Sequence, residues 1–154
     1  KLKLYCMKYR LYIDVIAGLL ILLFVYTALS KLDNYSFFQA QLSLYPFIGL
    51  FGGTLAWAIP AMELIITLLL LIPAYRTKGL KAALILLIAF TVYLLLMILY
   101  TPDLPCSCGG VIQSLTWTQH IFFNCGFIMV TLVAVLMSKH NEHTKKNTKE
   151  IHTH

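Results

Sequence analysis

Charge is what this chain has least of. Only 12% of its 154 residues are Asp, Glu, Lys or Arg, whereas a soluble domain carries about a quarter. Together with a hydrophobic content of 60%, that shortage excludes an ordinary soluble domain and places the chain in lipid. Acidic residues are the rarest, 6 Asp+Glu against 12 Lys+Arg, for a net charge of +6. The basic residues fall in short clusters between long apolar runs, which is how membrane proteins record orientation, so DNA or RNA binding is excluded as the reason for the excess. Cysteines are also few, 4 in all and unevenly spaced, which excludes a secreted disulfide scaffold. No internal repeat is evident.

What is present is a set of four apolar runs, Leu11 to Leu29, Leu55 to Ala74, Leu80 to Tyr100 and Trp117 to Met137. Each is close to the roughly 20 residues that a helix needs to cross the hydrocarbon. Lys1, Lys3, Lys8 and Arg10 precede the first run, Arg76, Lys78 and Lys81 join the second to the third, and Lys139, Lys145, Lys146 and Lys149 follow the fourth. These segments are expected on the cytoplasmic side. The other two connections hold only Lys31 beside Asp33, and Asp103 alone, and are expected outside. The expectation is therefore an all-α, four-span helix bundle with both termini inside, over residues 1–138, followed by a polar His/Lys-rich cytoplasmic tail, 139–154, predicted to be disordered. The basic start, the first apolar run and Ala28-Leu29-Ser30 also resemble a cleavable signal peptide; the run is read here as a permanent helix.

The first outer connection, Asp33 to Thr54, is apolar and aromatic, with Tyr35, Phe37, Phe38, Tyr45 and Phe47 interrupted by Pro46 and Gly52-Gly53. Such a stretch reads as a short amphipathic helix in the outer interface, capping the bundle, with re-entry between the spans as the other option.

The second outer connection carries the chemistry: Pro102-Asp103-Leu104-Pro105-Cys106-Ser107-Cys108-Gly109-Gly110. Thiols one residue apart on an oxidising face tend to form a disulfide with each other or with a partner. A bridge over so short a loop removes little unfolded-state entropy and is a poor staple, so exchange is favoured over a static bridge. Metal binding through Cys106, Cys108 and His120 ranks lower, because the spacing departs from the zinc pattern, although soft Cu(I) tolerates it.

Trp117, His120 and Asn124 are spaced by three and four residues and so share one face at the start of the fourth span, beneath that loop. A histidine there suits thiol chemistry, as a cation that lowers a thiol pKa or as a proton shuttle. Interhelical hydrogen bonding is the competing role for His120 and Asn124. Glu63, three residues after Pro60, is a carboxyl group within a span and by default a functional candidate that needs a partner. Lys31 is the nearest cation, with Tyr26, His120 or a protonated state of Glu63 itself as the alternatives, so a proton relay and a structural Lys-Glu pair are both open. Asp14 reads as an interfacial residue beside Arg10, Cys125 as a small buried hydrophobe, and Cys6 as a cytoplasmic thiol. The Tyr93, Met97 and Tyr100 stripe reads as core packing.

Taken together these residues resemble the MauE/DoxX-like redox-associated membrane proteins of bacteria. The resemblance runs to about Met137 and rests on Ser30-Lys31, Phe37-Phe38, Pro60 with Glu63, and above all Cys106-Ser107-Cys108-Gly109-Gly110 followed by Trp117, His120 and Asn124. It implies a four-helix bundle in the bacterial inner membrane and, in the methylamine-utilisation branch, a role in forming disulfides of a periplasmic enzyme with a thioredoxin-like partner. The chain is also similar to quinone-linked bundles of the vitamin K epoxide reductase type, but these use cysteines two residues apart and a second outer pair, which this sequence lacks. Quinone is thus a candidate cofactor through that likeness only. The expected activity is thiol-disulfide exchange between the Cys106/Cys108 pair and a thioredoxin-fold or disulfide-containing client. His120 would assist proton transfer, and Glu63, Asn124, Trp117 and Lys31 would shape a pocket. The alternatives are a noncatalytic small subunit of a larger membrane complex, and a membrane protein binding a metal or small molecule at Glu63 and His120.

Overall fold

Backbone N–H and C=O groups in hydrocarbon must be satisfied within the protein, and a helix does this segment by segment. The structure, a computed structural model, describes residues 2–43, 49–100 and 117–151. Among these residues all regular structure is helical: α1 (Leu2–Asp33), α2 (Tyr35–Ser43), a 3-10 turn at Gly49–Phe51, α3 (Gly52–Leu71), α4 (Arg76–Tyr100) and α5 (Trp117–Ile151). Four stretches are long and apolar enough to cross a membrane: Arg10–Asp33, Gly49–Leu71, Arg76–Leu96 and Gln119–Ser138. Each expected span falls on one of them, with ends shifted by a few residues. α5 carries on as helix to Ile151 and does not stop where its apolar run ends.

The four long helices run alternately up and down. α1 packs on α3, α3 on α4, α4 on α5, and α5 closes the ring against α1. The loop end of the bundle is where α1 and α4 finish and α3 and α5 begin; α3 passes to α4 at the opposite end. That turn follows from Pro73, because the residue before a proline is pushed out of the helical region. Ile72 is accordingly extended (φ −86°, ψ 114°) while its N–H still caps Leu68 O.

The core is built from Ile16, Leu20 and Phe24 of α1, Leu70 of α3, Leu80 and Leu87 of α4, and their buried neighbours. Outward positions are equally apolar, as at Leu22, Ile85, Leu99 and Phe122, each about 70% exposed or close to it. An apolar exterior all round is what lipid contact requires. Cys125 belongs to this outer surface and is exposed, which corrects its reading as a buried hydrophobe. It follows Asn124 directly, and one residue is about 100° of helix rotation, so it turns away from the bundle.

At the end opposite the loops, Arg76 binds two other helices. Its guanidinium pairs with Asp14 of α1 and its Nε donates to Leu70 O at 3.2 Å, covering a free carbonyl at the end of α3. Asp14 is therefore a partner of Arg76 and not merely an interfacial residue beside Arg10. One turn on, buried Gly79 lies so close to α3 that a Cβ would stand 3.0 Å from Leu70 N. Gly79→Val is expected to force α4 off α3 and to destabilise the bundle by about 1–3 kcal/mol, the usual range for overpacking. Thermal unfolding in detergent checks this, with Gly18→Val as control, since nothing lies within 4 Å of a Cβ there.

At the loop end the expected short helix is present as α2. Its Phe38 and Leu42 pack with Ala56 of α3, flanked by Tyr35, Leu55 and Ile59. Backbone bonding runs through the junction with α1, Asn34 N–H to Ser30 O and Phe38 N–H to Asn34 O. Tyr35 and the exposed Trp57 meet at a tilt of 43° with centroids 5.2 Å apart.

Candidate functional site

Between the core and α2 the interior becomes polar. Lys31, two residues from the end of α1, donates from Nζ to Glu63 Oε1 at 2.5 Å. Both are nine-tenths buried or more, Lys31 at 3% and Glu63 at 6% exposure, so each group finds its counter-charge in the other. Lys31 is thus a direct partner of Glu63. The ammonium also lies over two rings, 6.0 Å from the Phe38 centroid and 5.9 Å from that of Phe90, within cation–π range. Lys31 thus touches α2, α3 and α4 from its own helix α1.

Glu63 sits one turn below Pro60, which is fully buried on the same face. A proline inside a spanning helix lacks the N–H that would bond four residues back, and neighbouring groups make the defect tolerable. Below it Thr67 Oγ1 donates to Glu63 O at 2.9 Å, which satisfies a hydroxyl with no other route to solvent.

From α5, His120 and Asn124 point into the same space, at 3% and 5% exposure. Their four-residue spacing gives this common face, as the sequence predicts. His120 packs against Phe90, with centroids 6.3 Å apart, and Phe90 in turn meets Tyr93 at 6.0 Å. The side chains border a partly open cavity of about 50 Å³ that is lined by Lys31, Glu63, His120 and Asn124, with Phe90 and Thr27 among the remaining walls. Three polar atoms on the residues around it, Glu63 Oε2, His120 Nδ1 and Asn124 Nδ2, have no hydrogen-bond partner among the described residues. Buried polar atoms are nearly always partnered, so three around one cavity mark a place that receives something.

Of the residues singled out in the sequence, the structure brings Lys31, Glu63, His120 and Asn124 together. Trp117 opens α5. Cys106 and Cys108 lie outside the described residues, within 101–116, between α4 and α5 in the sequence. Among the described residues no three His, Cys, Asp or Glu side chains cluster as a metal site. Sequence reasoning missed Phe38 and Phe90 as the rings flanking Lys31, and Thr27 on the pocket wall. Thr27 alone left a trace, lying four residues before Lys31 on the same helix face.

These features define a multi-pass membrane bundle with a buried ion pair and a polar pocket near one end. The family described as methylamine utilisation protein MauE matches residues 9–137, most of the chain and all four spans, and the chain belongs to that family. No curated protein and no solved structure gave a match.

Proposed function

We propose that this protein is a thiol-disulfide redox protein of the bacterial inner membrane, whose Cys106 and Cys108 exchange with a thioredoxin-fold or disulfide-containing client on the periplasmic side. One cysteine attacks and the other resolves. His120 assists the proton transfers, and Glu63 and Asn124 give it a polar setting. The observation that carries this reading is the convergence of His120, Asn124 and the Lys31–Glu63 pair on one buried cavity, near the end of the bundle from which the Cys-x-Cys segment runs. A purely structural bundle has no need to bury a histidine Nδ1 and an asparagine Nδ2 that lack partners among the described residues, since such groups are expensive in lipid. The clusters Arg76, Lys78, Lys81 and Lys139, Lys145, Lys146 at the opposite ends of the spans support a periplasmic location for that segment.

Electrons leave the cysteine pair to a client disulfide, or reach it from a client dithiol; a quinone is the other acceptor, offered by the likeness to the quinone-linked bundles.

The deciding measurement is the potential of the Cys106/Cys108 pair, by thiol trapping of membranes equilibrated in graded dithiothreitol or glutathione buffers. The expected value lies between roughly −120 and −270 mV, the range of exchange catalysts. A bridge that survives well below about −300 mV is a structural one, and that result, or thiols that never oxidise, ends the redox reading.

A further inference from the structure

Glu63 Oε2 accepts hydrogen bonds, Asn124 Nδ2 donates two, and His120 Nδ1 does one or the other according to its tautomer. All three belong to residues that line one cavity, and none has a partner among the described residues. Lys31, bonded through Nζ to Glu63 Oε1, lines the same cavity. At about 50 Å³ the cavity exceeds several-fold the 10–15 Å³ or so that one water needs, and it offers the several polar contacts that hold a buried water in place. A site with donors and acceptors facing each other at that size fits water better than an anion, which would leave Glu63 repelled, or a metal ion, which would sit beside the Lys31 ammonium.

We propose that this pocket holds a small cluster of bound waters that links Glu63, His120 and Asn124 into a proton-exchange site within the bundle. Its hydration stands on the geometry alone; its use by the loop thiols rests on the function proposed above. In exchange with a client disulfide, the attacking thiol gives up its proton as the mixed disulfide forms and the client's S–S bond breaks. The departing client thiolate takes a proton up. When the second thiol resolves the mixed disulfide, Cys106 and Cys108 have been oxidised to a bridge and the client disulfide reduced to two thiols, with no net change in protons. Each step thus needs a local group that accepts and returns a proton, which a hydrated Glu63–His120–Asn124 cluster supplies.

The test is radiolytic footprinting of the full chain in lipid nanodiscs, where hydroxyl radicals made from bound water mark adjacent side chains. Phe90 and His120, on the cavity, are compared with Phe127, which packs against the apolar core. Labelling of the cavity residues is expected to exceed that of Phe127 on the order of tenfold, with oxygen drawn from isotopically heavy water, because only the former adjoin bound water. Asn124→Leu, nearly the same size but without hydrogen-bonding groups, is expected to lower labelling at Phe90. Labelling no higher than at Phe127 overturns the proposal, and so does a copurified organic molecule retained in native mass spectrometry and lost in Asn124→Leu. The Cys106→Ser/Cys108→Ser double variant should label like the parent. Failure of the thiol reading, detected by the potential, is therefore distinguishable from a dry pocket.

Discussion

Glu63→Leu is expected to lower the stability of the bundle by about 3–5 kcal/mol, because it leaves the Lys31 ammonium buried with no counter-charge. Lys31 is only 3% exposed and its other close neighbours are the Phe38 and Phe90 rings, whose attraction is worth about 0.5–2 kcal/mol each and does not replace a carboxylate. Lys31→Met strands Glu63 in the same way. The informative variant is the double Lys31→Met/Glu63→Leu. Removing both charges together, with apolar groups of similar volume, is often neutral or stabilising, so the double variant should regain most of what either single change loses. Denaturant titration of all four proteins in the same detergent closes the cycle. Additive losses in the double variant would show that the two residues act separately, contrary to the 2.5 Å contact. Glu63→Gln should fall between, since the amide keeps an oxygen for Lys31 Nζ without the charge.

The second large effect concerns Cys106 and Cys108. Replacing both with serine should abolish exchange with a client disulfide while leaving the unfolding transition nearly unchanged, because a bridge over so short a loop constrains the unfolded chain little. Replacing one alone should trap the client as a mixed disulfide, since the resolving thiol is gone. Only the variant that retains the attacking cysteine should accumulate it, which identifies that residue. A double variant that fails to fold or to assemble, with no trapped species from either single variant, would favour a structural bridge within a larger complex.

These two results bear on different parts of the molecule, and the parts were unequally legible in the sequence. Span number and approximate limits followed from run length, because a chain in lipid is helical wherever it is apolar for long enough. The pocket was half legible. His120 and Asn124 declared a common face by spacing, and Glu63 and Lys31 stood out because charge within an apolar run is rare enough to require a reason. Phe38 and Phe90 were invisible, since a ring that flanks a cation looks the same in sequence as one that faces lipid. Arg76 and Asp14, 62 residues apart, gave no sign of each other.

Cys125 shows the general cause. In water the polar face of a helix reveals which side is buried. In lipid both faces are apolar, and the rotation of a span about its own axis leaves little mark on its composition. The sequence by itself determined the membrane class, the number of spans, the α2 cap and the handful of polar residues that lipid would not tolerate without a purpose. Only the tertiary structure decided which of those residues meet. It set the rotation of each helix, joined Lys31 to Glu63, bound Asp14 to Arg76 and aimed His120 and Asn124 into one cavity. Those choices rest on close packing between helices and on pairing of charges far apart in the chain, and neither is written in the periodicity of any single span.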